Sequence, residues 1–223
     1  MNYDESNKKA WGRVIRKNQM LYPNERVVSF FAKNFPDTQG NIAKNALDVG
    51  FGSGRHLSVM VDYGFNTYGI DYSEDCLDEC KKILGSQVNL KLESIEENTF
   101  ETSSLDAVVL FGMMFLRQKS DIKRDLSIVY NLLRNNGKIL INFRTEFDFL
   151  YGKGQEVGEG SFVLDETYPT YSGMLYTFFS KEEAQGLLEE AGFYIENVER
   201  EDFWKNNLSE QHSWWIFTAS KRL

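Results

Sequence analysis

From Asn45 onward, short apolar runs alternate with helical patterns, and this alternation constrains the fold more than any other feature of the chain. Ala46–Val49, Asn66–Ile70, Val88–Leu92, Asp106–Phe111 and Lys138–Phe143 read as strands, with Tyr194–Val198 and Ser213–Ala219 as the last two. Helices are expected over Gly54–Tyr63, Ser73–Leu84 and Ser120–Asn135, and from Ser180 to Gly192. In the third of these, Ile122, Leu126, Val129 and Leu133 recur at helical spacing and so share one buried face. Ser53 and Ser73 stand where N-caps belong. Ser180-Lys-Glu-Glu183 is a capping box. Strands separated by helices cannot close as hairpins. They imply an α/β fold, with a mainly parallel sheet of seven strands and helices on both faces.

Two more helices are expected ahead of this pattern, Glu5–Lys17 with Trp11, Val14 and Ile15, and Asn24–Asn34, broken by Tyr22-Pro23. The 223 residues fit one domain, with N-terminal helices over 1–40. Lys and Arg number 25 against 33 Asp and Glu, a net charge of −8. That balance disfavours a phosphate backbone as partner, so no nucleic acid is expected. No apolar stretch approaches a membrane span, and the polar start from Met1 to Lys9 lacks a signal-peptide core; no membrane partner and a cytoplasmic location follow as expectations. Cys76 and Cys80 lie one helical turn apart with no further ligands nearby, so they are expected as reduced helix residues and no metal site is expected.

The strongest local motif is Leu47-Asp48-Val49-Gly50-Phe51-Gly52-Ser53-Gly54-Arg55. It follows the first strand and opens a helix. Gly50 and Gly52 allow a sharp turn and close approach of the backbone to a ligand, and free N–H groups at the helix start face a carboxylate or phosphate. Asp71 ends the next strand, where its carboxylate can accept from both hydroxyls of a ribose. The spacing differs from the dinucleotide fingerprint, because Gly54 comes one residue early and Arg55 takes the expected place.

The pattern Asp48-x-Gly50-x-Gly52-x-Gly54 resembles motif I of the class I S-adenosylmethionine-dependent methyltransferases. The resemblance extends along the chain. Tyr68-Gly-Ile-Asp71-Tyr-Ser is similar to their ribose-binding motif, and Leu105-Asp106-Ala-Val-Val-Leu-Phe111-Gly112 to their fourth strand. Leu132-Leu-Arg-Asn-Asn-Gly137-Lys-Ile-Leu is similar to the approach to their fifth strand, and Phe179 to Phe193 to their last helix and sixth strand. It implies a Rossmann-like, doubly wound sheet whose last strand is antiparallel. It also implies S-adenosylmethionine as cofactor, with S-adenosylhomocysteine as product, held by Asp48, Gly50, Phe51, Gly52, Asp71, Tyr72, Ser94, Ile95 and Phe111. The family usually has an aspartate after the third strand that accepts from the adenine amino group. Ser94 stands there, with Glu93 just before it, and either side chain is a candidate acceptor.

The segment 146–176 is too long for an ordinary connection and carries Gly152, Gly154, Gly158 and Gly160, then Phe162, Tyr168 and Tyr171. It is expected to be a lid or substrate wall. Tyr151-Gly-Lys-Gly-Gln-Glu156, with His212-Ser-Trp-Trp215, resembles a subgroup of small-molecule methyltransferases that includes tellurite-resistance-type enzymes. The resemblance implies methyl transfer to a small-molecule substrate. His212, expected just before the last strand at the ligand end of the sheet, is the candidate general base, against the competing reading of a surface histidine. His56 is expected to pack or cap. Two other functions stay open at this point: a non-catalytic S-adenosylmethionine-binding protein, and a nicotinamide-dependent oxidoreductase, which the glycine spacing disfavours.

Overall fold

The computed structural model describes residues 3–17, 20–36 and 43–222. Of the N-terminal region expected to be helical, residues 1, 2, 18, 19 and 37–40 lie outside the described residues. Helices α1 (Tyr3–Lys17) and α2 (Glu25–Asn34) come first, the latter capped by the Asn24 side chain. Then β1 (Asn45–Val49), α3 (Arg55–Asp62), β2 (Asn66–Asp71), α4 (Glu74–Leu84), β3 (Asn89–Leu92), β4 (Leu105–Leu110), α5 (Lys119–Leu132) and β5 (Leu133–Thr145) alternate as expected. β6 (Gln155–Gly158), β7 (Ser161–Val163) and β8 (Leu175–Phe179) follow, then α6 (Lys181–Glu190), β9 (Tyr194–Lys205) and β10 (Glu210–Ser220).

β3, β2, β1, β4 and β5 lie side by side and parallel, and β10 runs antiparallel between β5 and β9. This is the seven-stranded, doubly wound arrangement with an antiparallel last strand. Among the described residues the sheet has ten strands rather than seven. The three extra ones lie in or directly after the long insertion. β6, β7 and β8 form an antiparallel meander, and β8 joins the far end of β5 through Arg144 and Thr145. β5 therefore forks, pairing with β10 along most of its length and with β8 at its end.

The core has two layers, one on each sheet face. Leu57 and Met60 of α3, Phe30 and Phe31 of α2 and both cysteines of α4 cover one face. Ile122, Leu126 and Val129 of α5 cover the other, with Ala184 and Leu188 of α6. Capping follows the sequence in α4, where Ser73 accepts from the Cys76 N–H, and in α6, whose capping box is complete. Three expectations need correction. Ser53 does not cap α3. The glycine loop enters the helix through Gly54 at φ +85°, so a residue without a side chain occupies the N-cap, and the Ser53 hydroxyl donates to the Met20 carbonyl instead. α5 stops at Leu132, not Asn135, because Leu133 already pairs with Leu105 of β4. Finally, β9 and β10 are longer than the apolar runs suggested. Glu199-Arg-Glu-Asp202 continues an edge strand, where charged side chains face water at little cost. His212 consequently lies inside β10 rather than before it.

Candidate cofactor site

An open cleft lies at the carboxyl ends of β1, β2 and β4. That is the edge where open α/β sheets bind ligands. Val49 and Gly50 form its floor on one side, Ile70 and Asp71 on the other. Gly50 sits at φ +74°, and a Cβ built there would meet Met113 at 3.1 Å. A side chain at this position would enter the gap between the β1 and β4 ends, so the floor is open only because residue 50 is glycine. Gly52 is also left-handed, yet a Cβ there has room, and its role is to donate its N–H.

Asp71 is buried and oriented by the backbone. Oδ2 accepts from Gly52 N–H at 3.0 Å and Oδ1 from Ser73 N–H at 2.9 Å. Each oxygen keeps further acceptor capacity for a ligand hydroxyl. Burial raises the carboxyl above its ordinary value, while the hydrogen bonds from Ser73 and Gly52 oppose it. Asp48 lies beneath the loop, 1% exposed, and neither of its oxygens has a hydrogen-bond partner. Burial pushes it up to about 7, partly offset by Arg55 and reinforced by Asp71. Its nearest cation-forming neighbour is His56, whose Nδ1 stands 3.9 Å away. Burial and then Arg55 hold that imidazole down at about 3, which keeps it neutral.

Five of the nine predicted cofactor residues line the cleft: Gly50, Asp71, Tyr72, Ser94 and Ile95. The other four do not. Asp48 and Gly52 support the loop from within. Phe51 is core, closely packed on Gly69, and Phe111 meets His56 edge to face at 5.8 Å. Gly112, the residue after Phe111, reaches the cleft in its place. The candidate adenine acceptors are both engaged within their own loop. Ser94 Oγ donates to Glu97, and Glu93 accepts from the Thr99 N–H and hydroxyl.

His212 is not among the residues that line the cleft. It is 4% exposed in β10, stacked on Phe203 at 4.9 Å and in contact with Phe149 at 4.8 Å. Burial lowers its pKa, Arg144 adds to that, and Asp148 opposes it. Sequence reading missed Trp11, Met113, Leu116, Arg117 and Glu96, which complete the lining. Trp11 was visible only as an apolar helix position. Arg117 and Glu96 gave no motif, since each is placed by a partner distant in sequence.

A floor opened by glycine, a carboxylate with spare acceptor capacity and an apolar wall at Ile95 fit a nucleoside cofactor at this edge of an α/β sheet. Residues 46–137 match a family model described as a methyltransferase domain. A protein of Geobacillus sp. (strain WCH70) named as a methyltransferase is 28% identical over 130 residues, 56% of this chain and 52% of that one. The match thus spans about half the length of that relative. The tRNA N(3)-methylcytidine methyltransferase of Schizosaccharomyces pombe is 19% identical over 210 residues, 89% of this chain and 84% of that one. Among solved structures, the Burkholderia thailandensis 1,6-didemethyltoxoflavin-N1-methyltransferase with bound 1,6-didemethyltoxoflavin and S-adenosylhomocysteine superposes with TM-score 0.69. It is 16% identical and the match covers 100% of this chain and 86% of that one. The chain is thus similar to the S-adenosylmethionine-dependent methyltransferases in two ways, by a methyltransferase-domain match over residues 46–137 and by the fold it shares with the solved enzymes.

Proposed function

We propose that residues 1–223 act as one methyltransferase domain that transfers a methyl group from S-adenosylmethionine to a small-molecule acceptor. The observation that carries this reading is the cleft over β1 and β2, floored by Gly50 and Asp71. Bound there, the cofactor supplies an activated methyl group on a sulfonium. Asp71 holds the ribose, the Gly50 backbone lies against the amino-acid portion, and Ile95 packs on the purine. Met113, Leu116 and Trp11 shape the side from which an acceptor approaches. Holding the acceptor in line with the methyl group is sufficient to supply most of the rate.

The insertion supports a small acceptor. It carries its own buried cluster, with Leu150, Phe162, Leu164, Met174 and Tyr176 packed beside Phe115 and Leu116. Asn7 of α1 ties it to the cleft wall, donating to the Leu116 carbonyl and accepting from the Leu175 N–H. This makes a substrate wall of residues 146–176. The charge of the cleft also disfavours a polyanion. Asp71, Glu93 and Glu96 line it against Arg117, whose guanidinium is already bound by Asp125 and Glu96. The likeness to a tRNA methyltransferase favours the second reading, a nucleic-acid acceptor. Incubation with S-adenosylmethionine plus either the low-molecular-weight fraction of a cell extract or total tRNA, with S-adenosylhomocysteine release as readout, separates the two. Turnover with the small-molecule fraction supports the proposal, and turnover with tRNA alone overturns it.

His212 in its aromatic sandwich is a weak base. For an acceptor that must lose a proton, His212 serves only if Phe149 and the insertion move aside. His212→Gln is therefore expected to leave cofactor affinity unchanged, as measured by calorimetry.

A further inference from the structure

The loops that follow β3 and β4 belong to strands separated in the sheet by β2 and β1. Both loops nevertheless line the cleft, and one ion pair joins them across it. Arg117 follows the short 3-10 turn Met114–Leu116 after β4, and Glu96 lies in the loop after β3. Arg117 donates to Glu96 Oε1 from its terminal nitrogen. Resting on the cofactor reading above, we propose that Arg117 and Glu96 form a latch over the β1 and β2 ends, which holds the loop carrying Ser94 and Ile95 closed and retains the bound nucleoside.

One end of this pair is fixed before the latch forms. Arg117 is 7% exposed and bound by Asp125 of α5, with Nε to Oδ2 at 3.0 Å and a terminal nitrogen to Oδ1 at 3.3 Å. Its carbonyl accepts from the Thr177 hydroxyl of β8 at 2.7 Å. The guanidinium is thus held in one place by α5, and the backbone that carries it by β8. An ordinary surface ion pair loses most of its gain to the ordering of two long side chains. Here the arginine is ordered already, and Nη2, which donates one N–H to Asp125, has its other N–H for Glu96. The other end is less buried. Glu96 is part-exposed, and its loop is closed locally by Glu97 N–H to the Ser94 carbonyl and Asn98 to the Ile95 carbonyl. Parting Glu96 from Arg117 leaves that small loop held by its own hydrogen bonds and the packing of Ile95, while Arg117 stays with Asp125. Arg124 also reaches Glu96 Oε1, at 2.5 Å, but from outside and half exposed, so it adds little to the closure.

The test is the dissociation rate and affinity of S-adenosylhomocysteine for the wild-type chain, Glu96→Gln, Glu96→Ala and Arg124→Ala. Stopped-flow displacement and calorimetry supply the two readouts. Both Glu96 variants are expected to release the ligand about tenfold faster, the scale of one hydrogen bond between charged groups, with apo melting temperature unchanged. Arg124→Ala stays within about twofold, as exposed pairs do. Raising salt from about 0.05 to about 0.5 M is expected to speed release from the wild type more than from Glu96→Gln, because screening acts on the pair. This comparison holds even if Glu96→Ala folds poorly. A wild-type release rate in folded Glu96→Gln overturns the latch alone. A wild-type chain that binds neither S-adenosylhomocysteine nor S-adenosylmethionine overturns the cofactor reading and the latch with it.

Discussion

Asp71 receives two backbone N–H groups, and the proposed function gives its remaining acceptor capacity to the ribose. Asp71→Ala is expected to weaken S-adenosylmethionine binding by roughly 2 kcal/mol or more, since hydrogen bonds to charged groups contribute ~1.5–3 each. The two stranded N–H groups lower the apo melting temperature as well, and Asp71→Asn, which keeps one acceptor, separates the effects. Unchanged affinity in calorimetry contradicts the assignment. Asp48 gives a different prediction. Raised from 3.8 to about 7, it holds its proton in the fold and loses it on unfolding across that window. Unfolding then releases a proton, so stability is full below pH 4 and falls as pH rises toward 7. Asp48→Asn removes this slope. Its melting temperature is expected to match the wild type near pH 4 and exceed it by a few degrees at pH 8. Parallel curves would mean that Asp48 is ionised in the fold. At this scale the places of Asp48, Gly50 and Asp71 at the ends of β1 and β2 were legible in the sequence, because each stands at a fixed step from a strand end. Arg117 was not, since Asp125 and Glu96 meet it only after α5 and the β3 loop have folded onto β4.

Among the elements, the glycine loop and the insertion differ most in how the sequence encodes them. The loop is local in its encoding. Its turns come from Gly50, Gly52 and Gly54 between adjacent strand and helix, and bonds to Ile70, Asp71 and Met20 then fasten it. Gly50→Val is expected to abolish cofactor binding, by at least about tenfold in affinity, because its side chain collides with Met113 and is strained at positive φ. Normal affinity would place the cofactor elsewhere. The insertion is non-local. Its glycines suggested mobility, and they also build a meander. A Cβ on Gly154 would stand 2.2 Å from the Val163 carbonyl, so that glycine permits close packing of β6 on β7. Strands β6 and β7 were illegible as periodic segments because they run only four and three residues. Hydrogen exchange is expected to divide the segment. Amides of β7 and β8 are slow with or without cofactor, and the exposed turn 165–173 slows only when an acceptor analogue is added. Uniformly slow exchange in every state would make the whole insertion a fixed wall and end the lid idea.

Over the whole molecule, the alternation of strands and helices was enough to set the class of fold, since parallel strands need crossover helices whatever their details. It did not reveal the fork at β5. That fork depends on β8 finding the last two residues of β5, a pairing of four residues that leaves no pattern in the chain. The fork sets the insertion beside the cleft, against Phe115 and Leu116, where the proposed function places the acceptor. The central claim, that this sheet edge holds S-adenosylmethionine, is tested most directly by calorimetric titration of the purified chain with S-adenosylmethionine, S-adenosylhomocysteine, NAD and NADP. The account predicts saturable one-to-one binding of the first two and none of the nicotinamide dinucleotides. Binding of NAD or NADP with no response to either sulfur nucleoside would contradict it.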